Sequence, residues 1–129
     1  MPASHLREAL TIRTRSGEHV FEVEVVRSRD QQEAGLMGRT ALGQRHGMLF
    51  LEDREIAKRM WMKDTPLSLD MIFIAKNGLI HRIERKTTPY SEKKIWSGAL
   101  VKAVLEIGGG VAEKLNINEG DRIFFPAFD

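Results

Sequence analysis

One short segment concentrates side chains that are suited to ligand binding, namely Trp61, Lys63, Asp64 and Thr65. In an extended strand Trp61 and Lys63 point to the same face, so an indole and an ammonium group stand side by side. Asp70 follows within the next apolar run, where an ionised carboxylate needs a partner to offset the cost of burial. A few polar groups among apolar walls are typical of ligand pockets, so the segment predicts a binding pocket near Trp61.

A second carboxylate, that of Glu106, also interrupts an apolar strand face. If Asp70 and Glu106 line one pocket, burial raises a carboxyl pKa towards neutrality and suits general acid–base catalysis. Lys63 would then stabilise developing negative charge. The simpler alternative is structural, because a hairpin centred near Pro66 would set Lys63 opposite Asp70 as a cross-strand ion pair.

The sequence offers little support for a metal ion or a cofactor, and we predict neither. It has no cysteine, which excludes disulfides, thiolate catalysis, cysteine–zinc sites and iron–sulfur clusters. It contains no phosphate-binding loop, dinucleotide fingerprint or G-x-S-x-G elbow. Methionine sulfur can bind copper, but the internal methionines show no M-x-x-M repeat and are expected to fill the core. The histidines are scattered, at His5, His19, His46 and His81.

A basic segment lies between His81 and Lys94, with five Lys and Arg side chains against two Glu side chains. The net charge of the whole chain is only +2. Nucleic-acid-binding proteins usually carry a more concentrated basic stripe, and no recognition helix is predicted here. We therefore expect a solvated loop beside a strand, and nucleic-acid binding is the weakest of the functional alternatives.

Alternation of apolar and polar residues, clearest from Phe21 to Val25, predicts a mainly β (α+β) fold. Ser28 and Gln31 form a capping-box pattern that begins a short helix, and a second short helix is predicted at 111–115. About eight evenly spaced strands predict a compact closed or nearly closed antiparallel β-barrel, with a sandwich as the alternative. The strands are expected at 10–14, 20–27, 47–51, 57–63, 67–75, 79–85, 99–107 and 122–125.

Two turn signals refine this plan. Asn77-Gly78 predicts a type I′ hairpin turn, because both central residues of that turn need positive φ. Asn116 is expected to end the second helix in the left-handed conformation, which Asn adopts more readily than most residues.

Length and composition predict one globular domain over residues 1–129. Hydrophobic residues make up 42% of the chain and charged residues 29%, which is ordinary for such a domain. Residues 1–9 are expected to form a loose N-terminal segment, and no stretch reaches the ~20 apolar residues of a membrane span. If Met1 is the native start we expect a cytoplasmic protein, and if a signal sequence was removed we expect an exported one. The sequence makes no prediction about the oligomeric state.

Short motifs also recur in a fixed order from Gly35 to Phe125, and the most specific is Trp61-Met62-Lys63 with Thr65, followed by Leu69-Asp70. On these motifs the chain resembles the DUF192 family, also named UPF0127, a group of small bacterial and archaeal domains without an assigned biochemical function. The family usually has Asn where this chain has Asp64. The other matching motifs are Gly35-Leu36-Met37 with Arg39, Gly47-Met48-Leu49-Phe50, Phe73-Ile74, Pro89 with Ser91, Ser97-Gly98, Val104-Leu105-Glu106 and Gly120-Asp121.

The resemblance implies a compact β-rich barrel and implies no reaction. We hypothesise a binding module for a small molecule or a peptide, with a pocket lined by Trp and Met side chains and a few polar groups. The alternative is an acid–base, hydrolase-like enzyme that uses Asp70, Glu106 and Lys63. A second alternative is a weak nucleic-acid-binding or regulatory protein that acts through residues 82–94. The candidate ligand-binding residues are Met37, Arg39, Trp61, Lys63, Asp64, Thr65, Asp70 and Glu106.

Overall fold

The computed structural model describes residues 6–129, and within them seven strands form one curled sheet, accompanied by two short helices. The prediction of a mainly β fold with two short helices is confirmed. The strands are β1 (Arg7–Thr14), β2 (Gly17–Val26), β3 (His46–Met60), β4 (Leu69–Ile74), β5 (Ile80–Glu84), β6 (Ile95–Gly108) and β7 (Arg122–Phe124). The helices are α1 (Arg29–Ala34) and α2 (Val111–Lys114).

The sheet is an open half-barrel, so the prediction of a closed or nearly closed antiparallel barrel was wrong. Its strand order is β5-β4-β6-β3-β2-β1-β7. The two edge strands approach each other at one end only, through an isolated bridge between Leu79 and Arg122 and the backbone hydrogen bonds beside it. Strand β7 has three residues, which is too short to close the sheet along its length. The pair β2–β3 is parallel, because the crossover through α1 separates the two strands.

Strands β3 and β6 are longer than predicted, and they pair with each other over most of their length. The segments predicted as strands at 47–51 and 57–63 are joined in β3, where a shift in register between Leu51 and Ile56 absorbs the charged residues between them. Strand β4 pairs with β5 and β6, not with β3. The predicted hairpin that set Lys63 opposite Asp70 was therefore wrong.

The two faces of the sheet carry separate hydrophobic clusters. The inner cluster draws on all seven strands and therefore fills the concave face; it includes Ile12, Phe21, Leu49, Ile72, Leu105 and Ile123. The outer cluster covers the convex face of the central strands; it includes Met48, Phe50, Met62, Met71, Phe73 and Val104. Every residue of β4 is buried, which confirms the prediction that this strand, apolar on both faces, is central.

Local signals explain where several elements begin and end. The Ser28 hydroxyl accepts a hydrogen bond from the Gln31 N–H and the Gln31 side chain caps the Ser28 backbone, so the predicted capping box is confirmed. Asn116 adopts φ 57°, as predicted. At the N-terminus, β1 begins at Arg7, so residues 7–9 belong to a strand and not to a loose segment; the rest of that predicted segment, apart from Leu6, lies outside the described residues.

The turn between β4 and β5 is not of the predicted type I′. Gly78 has φ 89°, but Asn77 is not at positive φ. The Gly78 N–H donates to the Ala75 carbonyl at 2.9 Å, and the Asn77 side chain accepts from the Leu79 N–H at 3.1 Å. The Gly78 carbonyl in turn accepts from the Ile123 N–H at 2.8 Å, so this turn carries part of the contact between the two edges of the sheet.

We predict that Gly78→Ala destabilises the protein more than Gly120→Ala. A Cβ at Gly78 would lie 2.4 Å from the Ile123 carbonyl oxygen, whereas a Cβ at Gly120 has no atom within 4 Å. Both glycines have positive φ, so both variants carry about 1–3 kcal/mol of backbone strain, but only Gly78→Ala adds a clash. Urea unfolding measures the difference. Equal midpoints for the two variants would show that the contact with Ile123 does not constrain the turn.

Candidate functional site

A cleft of ≈ 830 Å³ opens on the outer face, between α1 and the second half of β3. Residues 27–37 contribute one wall, and β3 with the residues that follow it contributes the other. Five residues predicted from the sequence line this cleft, and they come from three parts of the chain: the loop after α1, the segment after β3, and β6. They are Met37, Trp61, Lys63, Thr65 and Glu106.

Two other predicted residues support the cleft from outside its lining. The Arg39 guanidinium binds the Glu24 carboxylate in a bidentate ion pair, with N–O distances of 2.6 and 2.8 Å. This pairing raises the pKa of Arg39, so the guanidinium stays charged. Asp64 has φ 56°, and its carbonyl accepts a hydrogen bond from the Gly38 N–H at 2.8 Å. Both contacts hold the loop after α1 against the sheet, where it forms one rim of the cleft.

Asp70 does not line the cleft. Its side chain is fully buried and accepts hydrogen bonds from the backbone N–H groups of Lys86 at 2.8 Å, Gly110 at 3.1 Å and Ala112 at 2.9 Å. Two of these donors belong to the start of α2, where a carboxylate interacts favourably with the positive end of the helix. Asp70 therefore joins β4 to the loop after β5 and to α2.

The two predicted carboxylates lie on opposite faces of the sheet. Asp70 is in register with Ile107, whereas Glu106 is in register with Met71. Since neighbouring residues of a strand point to opposite faces, Asp70 faces the inner cluster and Glu106 faces the outer one. The expectation that both would line one pocket was wrong.

Glu106 is a buried acid that lines the cleft. It stands between Met48 of β3 and Met71 of β4 in a row across the outer face. The residue is 4% exposed, and no described residue forms a hydrogen bond or an ion pair with its carboxyl group. Burial raises the pKa of Glu106 to about 8. At neutral pH the carboxyl group is therefore largely protonated, and it can donate one hydrogen bond and accept others.

Trp61 forms an aromatic wall of the cleft, and two lysine ammonium groups contact its ring. The Lys63 ammonium lies 5.2 Å from the centroid of its ring and the Lys94 ammonium lies 4.8 Å from it. Trp61 remains 36% exposed. Lys63 thus contacts Trp61 instead of Asp70. Trp61 and Lys63 both follow the end of β3 at Met60, so the prediction that they share a strand face was wrong.

Lys94 was missed as a site residue, although it belongs to the basic segment. The loop before β6 returns to the cleft because the Met62 N–H donates to the Ser91 carbonyl at 2.9 Å and the Tyr90 N–H donates to the Thr65 carbonyl at 3.0 Å. These long-range backbone bonds leave no pattern in the sequence. The basic segment was the available signal, but nothing in it distinguishes Lys94 from its neighbours.

The lining of the cleft is strongly basic. Its carboxylates belong to Glu33, Glu52 and Glu106. Lys58 pairs with Glu52 at 2.7 Å and also donates to Gln32. Burial alone would raise the pKa of Glu52, but hydrogen bonds from Lys58 and Gln32 lower it overall. The cations of the lining are Arg27, Arg29, Lys58, Arg59, Lys63 and Lys94.

The rest of the basic segment is largely neutralised by ion pairs. Arg82 pairs with Glu84 at 2.5 Å, and Lys86 pairs with Glu113 at 3.1 Å. Arg85 donates to the Ile117 carbonyl at 3.1 Å. These contacts account for three of the five cations that suggested a basic surface.

The described residues contain neither a candidate metal site nor a helix that could cross a membrane. Among residues 6–129, no three His, Asp or Glu side chains form a group that could hold a metal ion. No described helix has both the length and the apolar character that a membrane crossing requires.

The fold and the cleft together define a small, mainly β half-barrel with one basic cleft on its convex face. The model of the DUF192 family, described as an uncharacterised ACR, matches residues 11–125. The chain belongs to the DUF192 family, so the resemblance deduced from its motifs is confirmed.

Two crystal structures are similar to this chain over nearly its whole length. A proposed transcription regulator from Sinorhizobium meliloti 1021 is 38% identical, with a TM-score of 0.92, and the match covers 96% of this chain and 97% of that one. A protein of unknown function from Novosphingobium aromaticivorans DSM 12444 is 36% identical, also with a TM-score of 0.92, and the match covers 97% and 90%. No curated protein matches the chain.

We predict that Glu106→Gln removes a pH dependence of stability. The pKa of Glu106 is about 8 in the folded protein against 4.5 for an exposed glutamic acid, so folding takes up a proton at pH values between these two. Wild-type stability therefore falls with rising pH across this window, by up to about 1.4 kcal/mol per pH unit, and levels off above it. Glu106→Gln should exceed the wild type in stability near pH 8, and the difference should shrink towards pH 5.

Chemical unfolding at a series of pH values measures this effect, with Glu92→Gln as the control for removal of an exposed carboxylate. The control should run parallel to the wild type. Parallel curves for Glu106→Gln and the wild type would show that the Glu106 carboxyl is not held protonated by burial.

We predict that Asp70→Asn acts on stability and not on the cleft. The amide keeps one acceptor oxygen but places an NH₂ group against a backbone N–H, so one or two charge-assisted hydrogen bonds are lost. The cost should be roughly 2–4 kcal/mol in the free energy of unfolding. Urea unfolding measures it, and Trp61 fluorescence should be unchanged in the folded variant. Full stability of Asp70→Asn would contradict the anchoring role.

Proposed function

We propose that this protein is a binding module whose cleft takes an anionic ligand with an apolar or aromatic part. The observation that carries the proposal is that one cleft is lined both by Trp61, with Lys63 and Lys94 against its ring, and by the buried Glu106, which has no described partner. A small molecule and a peptide segment share this chemistry. The family assignment and the two similar structures support the fold and leave the ligand open.

The excess of cations in the cleft favours a negatively charged ligand. Six Lys and Arg side chains line it against three Glu side chains, of which Glu106 is largely protonated at neutral pH. Lys58 is satisfied by Glu52, but no described carboxylate pairs with Lys63 or Lys94. Cations over an exposed indole can bind an anion while the ring contacts its apolar part.

Glu106 supports the same ligand class. The Glu106 carboxyl group opens onto the cleft and has no described partner, so a ligand that supplies an acceptor can take a hydrogen bond from it. In its protonated form Glu106 can donate to a carboxylate or phosphate oxygen that the lysines have already attracted. An apolar residue at this position would fold equally well beside Met48 and Met71 but could not recognise such a group.

The acid–base enzyme is less well supported than binding. That hypothesis relied on Asp70 and Glu106 as a pair, but Asp70 lies on the opposite face and is saturated by backbone donors. Nucleic-acid binding is also less well supported, because three cations of the basic segment are already engaged in ion pairs or backbone contacts. The description of the relative from Sinorhizobium meliloti is compatible with a regulator that senses a small anion.

The test compares two single variants, Lys94→Met and its matched control Lys93→Met. Both lysines are exposed neighbours, but only Lys94 contacts Trp61 and lines the cleft. Thermal shift against dicarboxylates, aromatic carboxylates, organic phosphates and acidic peptides identifies binders. Quenching of Trp61 in a Trp96→Phe background then measures affinity. Lys94→Met should weaken binding about tenfold and Lys93→Met by less than about twofold.

The same titrations decide against the proposal in two cases. Equal losses in the two lysine variants would mean that only the general field of the surface attracts the anion. The absence of binding by every one of these probe classes would mean that the cleft does not serve as an anion site.

We predict that ligand affinity depends on pH through the protonation of Glu106. For a ligand that binds in the wild type, affinity should decrease as the pH rises through about 8, because an ionised Glu106 repels the anion. Glu106→Gln keeps a neutral donor, so its affinity should lose this dependence. Isothermal titration at pH 6.5 and pH 9 measures both. An unchanged pH profile in Glu106→Gln would show that Glu106 does not contact the ligand.

A further inference from the structure

Strand β3 has an edge without a strand partner beside the cleft. Strand β2 pairs with β3 only as far as Val26 and Phe50, where the chain turns into α1. Strand β3 continues to Met60, and along this stretch it pairs with β6 on one side only. An unpaired strand edge presents free backbone N–H and C=O groups, which can bind another extended segment.

The orientation of the backbone identifies which groups are free. The Lys58 N–H donates to the Ser97 hydroxyl of β6 at 2.9 Å, so Lys58 directs its N–H towards β6. In a regular strand the backbone groups of successive residues point to alternate sides, and the extra residues near this point lie in β6, not in β3. Ala57 and Arg59 therefore direct their N–H and C=O groups to the free edge, where no strand of the described sheet lies beside them.

We propose that an extended acidic peptide binds this edge as an added strand, with its alternate side chains in the cleft. This inference rests on the proposed function and names its ligand. Because side chains of a strand alternate, every second residue of the peptide would face the cleft, where Lys63 and Lys94 lie against Trp61. Backbone hydrogen bonds supply binding at the edge, and the charges select an acidic sequence.

The charge of the cleft, and not that of the strand edge itself, favours a foreign acidic peptide as the occupant. Residues 52–59 carry three acids against three bases, so the edge alone has no excess of charge. The cleft beside it is lined by six Lys and Arg side chains against three Glu side chains, which complements a strand whose alternate side chains are acidic.

The experiment uses the full chain and a labelled pool of peptides of about eight residues, with Glu at alternate positions and the other positions randomised. Two further pools carry N-methyl groups, one at the Glu positions and the other at the randomised positions. An added strand uses the N–H groups of one alternate set only. We therefore expect one N-methylated pool to lose affinity by about tenfold or more and the other to stay within about twofold of the parent.

A pair of protein variants tests the same edge from the other side. Ala57→Pro removes one outward N–H, and Pro is tolerated on a strand edge, whereas Ala57→Val keeps the N–H at an exposed position. Ala57→Pro should weaken peptide binding about tenfold and leave binding of a small dicarboxylate unchanged; Ala57→Val should alter neither by more than about twofold. Circular dichroism confirms that both variants are folded. If Ala57→Pro does not fold, amide exchange at Ala57 and Arg59 replaces it, and the parent pool should slow both amides.

The outcomes separate this inference from the proposed function. Equal binding of both N-methylated pools would overturn strand addition, as would peptide binding that Ala57→Pro leaves intact. Binding of small anions without peptide binding would overturn the peptide and preserve the anion cleft. If neither class binds, both proposals fail. A change to a dimer on analytical ultracentrifugation, without peptide, would show that a second copy occupies the edge and would also overturn the inference.

Discussion

The candidate site depends on a mismatch in strand length. Strand β2 leaves the sheet after Val26, whereas β3 and β6 continue together to Met60 and Ile95. The chain released from β2 forms α1, which packs close to Phe50 through Gly35 and cannot fill the space beside the rest of β3. The cleft and the free edge are two consequences of this one constraint. A sheet of equal strands would have neither of them.

The two faces of the sheet divide structural from functional polar groups. On the inner face Asp70 is satisfied by three backbone N–H donors and fixes α2. On the outer face Glu106 has no described partner, and burial raises its pKa to about 8. Both residues are acids buried in apolar strands, and only their hydrogen-bond partners distinguish an anchor from a candidate site. Three backbone N–H groups hold the Asp70 side chain in place, whereas burial without such partners favours the protonated form of Glu106.

The sequence was sufficient to predict local features of the fold, but it was not sufficient to predict the order and direction of the strands in the sheet. The capping box at Ser28 and the left-handed Asn116 depend on neighbouring residues alone, and both were predicted correctly. The parallel pairing of β2 with β3 and the position of β6 between β3 and β4 depend on long-range contacts. Alternation reveals which residues of a strand share a face, but it does not reveal which face of the sheet that is. Glu106 and Asp70 were therefore grouped wrongly, although each was placed correctly among its own neighbours.

Two features beside the cleft are unfavourable for the folded protein, which indicates that the cleft has a function. An unpartnered buried acid lowers stability, and a free strand edge exposes the protein to unwanted association. Elsewhere in the described chain the buried side chains of Asp70, Thr87 and Ser97 have hydrogen-bond partners, and Arg82 Nη1 is the one fully buried side-chain polar atom without one. Departures from local consistency are expected at functional sites, where a ligand completes what the protein leaves open. Two such departures, the buried Glu106 and the free edge along Ala57–Arg59, lie beside one cleft. The basic charge and the aromatic wall of this cleft both favour an anionic ligand with an apolar part.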